Sequence, residues 1–168
     1  MRFTQHFRLE GAAATTGIIM ASTLTNLLYH IVFSTKERRE LIDADLQPRL
    51  YKYIGGIIRG ERGHALAVGG TKDHMHILAA FPPTITVSDM LQHIKGNSSK
   101  WVHDTCPNVL FGWQNGYAAF SVSESATAAV TRYIDTQAEH HKRRTFADEL
   151  RVILKKNNIT YDERYIWD

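Results

Sequence analysis

Asp73-His74-Met75-His76-Ile77-Leu78 sets two imidazoles on either side of one apolar residue, and Ala79, Ala80 and Phe81 follow. The apolar run predicts a buried strand. Side chains alternate along a strand, so His74 and His76 share one face and Met75 takes the other. Their Cα atoms then lie about 7 Å apart, and both rings can converge on one cation at about 2.0–2.2 Å. A strand in a packed sheet is a rigid mount for such a site. Two ligands do not hold an ion alone, so a further donor is needed. The stretch Tyr133-Ile134-Asp135-Thr136-Gln137 carries a phenol and an amide four residues apart. On a helix these are neighbours, about 5–6 Å between Cβ atoms. His140 and Arg144 continue the same line, whereas His141 is turned away by about a quarter turn.

Other elements must position these groups. A length of 168 residues suits one domain with a real core, and 43% apolar with 22% charged residues is ordinary for a globular chain. Cys106 is the single cysteine, which excludes a disulfide framework and a thiolate metal site and points to a reducing, cytoplasmic compartment. No apolar run approaches the length of a membrane span. A net charge of +3 permits a polyanionic partner. Residues 1–19 show no clear period, and Glu10 interrupts their weak likeness to a secretory signal. They read as a disordered extension, Met20 as a natural start, and residues 20–168 as a single domain.

Leu27–Ser34 predicts a first strand. Asp43 or Asp45 caps a helix with Leu46, Leu50, Ile54, Ile57 and Ile58 inside; Gly55-Gly56 weakens or bends it and Gly60 ends it. His64–Val68 and His74–Phe81 are strands around a Gly69-Gly70 turn. Thr86 with Asp89 resembles a capping box, opening a helix with Val87, Met90, Leu91, Ile94 and Trp101 inside and a bend near Gly96–Ser99. Tyr117–Val122 is a fourth strand. Ser123 or Ser125 caps a helix to about Lys142, and Thr145 with Asp148 caps another with Phe146, Leu150, Ile153 and Leu154 inside. An aromatic tail, Tyr161, Tyr165, Ile166 and Trp167, docks back. The order β-α-β-β-α-β-α-α predicts an α+β, ferredoxin-like (RRM-like) sandwich: an antiparallel sheet with helices on one face, plus C-terminal helices.

His74-Met75-His76 followed by Tyr133-Ile134-Asp135-Thr136-Gln137 closely resembles the HUH (His-hydrophobic-His) single-tyrosine transposases of small bacterial insertion sequences, which act on single-stranded DNA. The resemblance extends to His30–Arg39 (HIVFSTKERR), Lys95-Gly96, Gly116-Tyr117, and the tail with Phe146, Glu149 and Trp167, covering about residues 24–168. A His-x-His alone is a weak signal; the two motifs at this separation and in this element order are a strong one. The resemblance implies a divalent metal held by His74, His76 and Gln137, and such a ligand set with phosphate oxygens suits Mg²⁺ or Mn²⁺. It implies Tyr133 as the nucleophile, forming a 5′-phosphotyrosine link and releasing a 3′-hydroxyl. A second 3′-hydroxyl then rejoins the strand without ATP. A phenol ionises near pH 10, so Tyr133 needs help from the metal, His140 or a water. Relatives are commonly homodimers whose tyrosine helix completes the partner's site, and they recognise a hairpin near the element end plus a few unpaired bases. A bacterial cytoplasmic, nucleoid-associated protein is implied. Lys142, Arg143 and Arg144, with Arg151, Lys155 and Lys156, form the densest basic region; Lys95 and Lys100 are further DNA-contact candidates.

Plainer readings compete. A lone His-x-His is more often structural, and a lone tyrosine more often core. His30 reads as structural, His141 as solvated, and Trp101, Trp113 and Trp167 as packing. A non-catalytic nucleic-acid-binding module would need aromatics where the sheet carries histidines, and the RNA-recognition consensus is absent. A host-adopted nickase would share the chemistry and the motifs.

Overall fold

Four strands, β1 (Leu28–Ser34), β2 (His64–Gly70), β3 (His74–Ala80) and β4 (Ala118–Val122), pair antiparallel in the order β2-β3-β1-β4. This is the predicted α+β, ferredoxin-like arrangement, with strands one and three at the centre. The computed structural model describes residues 23–107, 110–141, 145–164 and 166. The expected extension, residues 1–19, lies outside them, as do Tyr165 and Trp167 of the tail.

Helices α1 (Leu46–Gly60) and α2 (Val87–Thr105) cover one face of the sheet. Ile31 and Phe33 of β1 and Met75, Ile77 and Ala79 of β3 pack there against Leu50, Ile54, Ile58, Met90, Leu91 and Ile94. All are buried, as the alternation of β3 predicts. Thr86 Oγ1 accepts the Asp89 N–H at 3.1 Å and starts α2. Asp43 Oδ1 accepts the Leu46 N–H at 2.8 Å and starts α1.

Three local expectations change. α1 runs unbroken through Gly55-Gly56, which face open space. α2 runs unbroken through Gly96–Ser99 because Ser98 is buried and tied on two sides. Its Oγ donates to Ile94 O at 2.6 Å and accepts Trp113 Nε1–H at 2.9 Å, a tertiary contact that overrides weak propensity. Gly69-Gly70 end β2 and the turn follows them.

The opposite face carries α3 (Thr127–Asp135), α4 (Gln137–His140) and α5 (Phe146–Lys156). The expected single helix to Lys142 is instead a 3₁₀ turn at Glu124–Ala126, then α3, then a break at Thr136 (φ −101°, ψ 17°) before α4. Phe146, Leu150 and Leu154 of α5 pack on Val32 and Phe120, and Ile134 of α3 packs on Ala67 and Leu78. A Cβ on Gly69 would stand 2.8 Å from Ile134 O, so α3 rests on bare strand backbone. Of the expected tail, Tyr161 is exposed, and Glu163 of the segment after α5 bonds Arg151 at 2.8 and 3.0 Å.

Candidate active site

The strand alternation that buries Met75 and Ile77 under α1 and α2 turns His74 and His76 toward α3–α5. Both are fully buried, with ring centroids 5.1 Å apart. Each is fixed through Nδ1. For His74 the partners are Asp73 Oδ1 at 2.7 Å and Thr71 Oγ1 at 2.9 Å. For His76 the partner is His30 Nε2 at 3.0 Å, from the neighbouring strand. An imidazole held at Nδ1 by an acceptor presents its Nε2 lone pair forward.

What lies forward is Glu149, on the first turn of α5 and only 5% exposed. Its Oε1 accepts the Tyr133 hydroxyl, and Gln137 Nε2 at 3.0 Å. Its Oε2 lies 3.6 Å from His74 Nε2, 3.5 Å from His76 Nε2 and 2.8 Å from His141 Nε2. The Tyr133 ring stands edge-on to His76 at 5.8 Å. Phe146, beginning α5, stacks on His74 at 4.4 Å. Thr145 Oγ1 caps α5 by accepting the Asp148 N–H at 3.2 Å. A cleft of about 960 Å³ lined by Thr71, Asp73, His141 and Phe146 opens beside the group.

At this site three buried atoms have no hydrogen-bond partner among the described residues: His74 Nε2, His76 Nε2 and Gln137 Oε1. Buried polar atoms are normally satisfied, and three unsatisfied acceptors beside a carboxylate fit a cation. Two ligands bound about 2.1 Å from one ion stand about 3.0–3.5 Å apart. The His Nε2 to Glu149 Oε2 separations, 3.6 and 3.5 Å, lie at the upper edge of that range and are too long for good hydrogen bonds. His74, His141 and Glu149 form an overlapping set whose ligand atoms lie within 4.8 Å of one another.

Burial sets the charge states. It is the first cause, ahead of the neighbouring His76, of a His30 pKa lowered to about 3, so His30 is neutral. His76 is also held below its usual value, by burial first. Burial alone pushes Glu149 up, but the nearby His76 imidazole, then bonds from Tyr133 and Gln137, hold it well below the carboxylate range. Since burial keeps His76 neutral, the Tyr133 and Gln137 donors are the part of that pull that persists. Burial likewise opposes the Asp73 carboxylate, and its bonds to His74 and Thr71 outweigh it.

Four sequence candidates therefore meet: His74, His76, Tyr133 and Gln137. α4 carries His140, whose side chain lies outside the described residues, as do Lys142, Arg143 and Arg144. Lys100 is exposed and paired with Asp104 at 2.8 Å. Lys95 gives its protons to the carbonyls of Gln114, Asn115 and Gly116 at 3.1, 3.1 and 2.6 Å, and burial lowers its pKa to about 8.

Two further residues join the group, His141 and Glu149, the second named in the resemblance but without a role. His141 was expected to face away, but the break at Thr136 restarts the helical phase and brings it to Glu149. Glu149 had a visible signal: it interrupts the apolar stripe Phe146, Leu150, Leu154, and a buried carboxylate needs partners.

The four-stranded antiparallel sheet presents paired histidines to a helix-borne tyrosine, the framework expected of enzymes that cut and transfer DNA strands through tyrosine. The chain belongs to the family described as "Transposase IS200 like", whose profile matches residues 23–137. It is 28% identical over 129 residues to the transposase for insertion sequence element IS200 of Salmonella typhimurium, spanning 73% of this chain and 84% of that protein. It is 24% identical over 117 residues to the ISDra2 transposase TnpA of Deinococcus radiodurans, spanning 66% and 84%. Two solved structures share the fold. One is a candidate transposase of Deinococcus radiodurans, with TM-score 0.57 and 22% identity over 70% of this chain and 95% of that one. The other is a REP-associated tyrosine transposase bound to a REP hairpin, with TM-score 0.54 and 14% identity over 75% and 74%. The protein is accordingly a DNA transposase, metal-dependent as its family is. The family profile stops at Gln137, so His141 and Glu149 lie beyond it. Among the described residues, no helix is long and apolar enough to cross a membrane.

Proposed function

We propose that Tyr133 is the nucleophile of single-strand DNA cleavage and that His74, His76, Gln137 and Glu149 hold Mg²⁺ or Mn²⁺. The observation that carries this reading is three buried, unpaired atoms, His74 Nε2, His76 Nε2 and Gln137 Oε1, on side chains gathered around the carboxylate that also holds the Tyr133 hydroxyl. Two imidazoles, an amide oxygen and a carboxylate suit those cations, leaving room for phosphate oxygens. The bound cation would draw charge from the scissile phosphate and offset charge on the departing oxygen.

Tyr133 Oη attacks phosphorus. Its proton passes to Glu149 Oε1, to which it is already hydrogen-bonded. The bond from phosphorus to the 3′ oxygen breaks, and that oxygen leaves as a 3′-hydroxyl, its proton coming from solvent. The 5′-phosphotyrosine link keeps the bond energy until another 3′-hydroxyl attacks it. Tyr133 acts in cis in this reading, because it meets the histidines and Glu149 of its own chain. A homodimer that exchanged helices would use the same contacts between subunits. The substrate is single-stranded DNA beside a hairpin, as the hairpin-bound relative supports. The basic sequence Lys142-Arg143-Arg144, Lys100 and the loop clamped by Lys95 contact its backbone. The enzyme works on DNA in the bacterial cytoplasm.

The test uses 3′-labelled single-stranded oligonucleotides tiled across the DNA flanking the gene, with Mn²⁺. The expected result is an SDS-stable adduct, lost with chelator and in Tyr133→Phe. Retention of DNA without an adduct on any oligonucleotide, or an adduct that survives Tyr133→Phe, overturns the reading.

A further inference from the structure

The two candidate ligand histidines are held in different ways. His74 Nδ1 faces a carboxylate and a hydroxyl, Asp73 and Thr71, at its own end of the strand. His76 Nδ1 faces only another imidazole among the described hydrogen bonds, His30 Nε2 at 3.0 Å. His30 lies on β1 opposite Leu78 and reaches diagonally to His76, whose direct partner is Val32. The two rings lie nearly parallel, with centroids 5.3 Å apart and 26° between planes. His30 is itself fixed, edge-on to Tyr133 at 6.2 Å and tilted on Phe120 at 6.2 Å.

We infer that His30 is a positioning residue for the metal site, accepting the Nδ1–H of His76 and so keeping His76 Nε2 free to bind a cation. A neutral imidazole has one donor and one acceptor, so a bond between two of them has only two arrangements. In the first, His76 donates from Nδ1 and its Nε2 lone pair faces the cation site. In the second, His30 donates and His76 carries its proton on Nε2. That proton would point into the space shared with His74 Nε2 and Glu149, where the carboxylate oxygen is 3.5 Å away, beyond a good hydrogen bond. It would also block ligation. The Nδ1–H arrangement leaves the buried, unpartnered Nε2 as the ligand atom and explains why it is unpartnered. His30 touches no reacting atom; it acts through His76. Partners of this kind typically change metal affinity about 10–100-fold when removed.

This rests on reading His74 and His76 as ligands, and the experiment separates the two ideas. Mn²⁺ is titrated into the metal-free protein and followed by the loss of its free paramagnetic signal, for wild type, His30→Phe and His30→Gln. Phe keeps the ring and removes the acceptor; Gln restores an acceptor oxygen at a similar reach. The expected result is Mn²⁺ binding weakened about 10–100-fold in His30→Phe, with recovery to within a few-fold of wild type in His30→Gln. Nitrogen-15 shifts of His76 in metal-free wild type are expected to show protonated Nδ1 and bare Nε2. That measurement needs no variant to fold. A His76 protonated on Nε2 overturns the inference. So does a His30→Phe protein that binds Mn²⁺ like wild type, or a folded His30→Gln that fails as His30→Phe does. A wild-type protein that takes up no Mn²⁺ sinks the metal site itself.

Discussion

The two faces of one sheet obey different rules. Toward α1 and α2, β1 and β3 present Ile31, Phe33, Met75, Ile77 and Ala79 to helices that match them in kind. Toward α3–α5, the same strands present His30, Ser34, His74 and His76, all buried, with apolar packing confined to small groups around Phe146 and Ile134. Burial is as complete on both sides. The first face spends it on packing, whereas on the second it desolvates titratable groups and leaves acceptors unpaired. In the proposed reading, neighbouring residues of β3 belong to stability and to chemistry in turn, and substitutions one position apart should fail in different ways.

The sharpest break in that contrast is Tyr133→Phe. It should abolish the covalent DNA adduct while leaving the melting temperature within a few degrees of wild type, measured by gel and by calorimetry on one preparation. Ile77→Ala, on the packing face, should do the reverse. Denaturant unfolding is expected to show a loss of about 2–5 kcal/mol, while the fraction that stays folded still binds Mn²⁺ and cleaves. Equal loss of both properties in both variants would erase the division.

Acid should probe the histidine face selectively. His30 has a folded pKa near 3 against 6.5 for an ordinary histidine. Between these values the unfolded chain binds more protons than the folded one, so stability is complete above about pH 6.5 and is lost as pH falls toward 3. Thermal melts of metal-free protein should fall across that window, and less steeply in His30→Phe or His30→Gln. Gly69→Ala sharpens the comparison at the seam where α3 meets β2. The new methyl meets Ile134 O, and the expected loss is about 1–3 kcal/mol. Cleavage should drop more than Mn²⁺ binding does, because Tyr133 is adjacent to the displaced residue. Thr145→Ala removes the cap of α5 and should cost about 1 kcal/mol. A slight weakening of Mn²⁺ binding is expected through Glu149.

The packing face and the histidine pair were legible because both are local patterns. Alternation in His74–Ala80 and helical spacing in Leu46–Ile58 each declare which way a side chain points. Tyr133 and Gln137 were legible from their spacing, and their meeting with the histidines from the resemblance. Ser98 was not, since the Trp113 bond that holds it comes from a distant segment. His141 was hidden by the break at Thr136, because a helical wheel assumes an unbroken helix. Glu149 stood in view on the apolar stripe of α5, but nothing in the sequence says that α5 lies over β3. His30 reads as a structural histidine until its ring is seen against His76.

Translation delivers α5 after every other part of the site. A chain still emerging from the ribosome carries His74, His76, Tyr133 and Gln137 before the carboxylate that gathers them. In the proposed reading, an unfinished copy therefore lacks the carboxylate that takes the Tyr133 proton until α5 folds down.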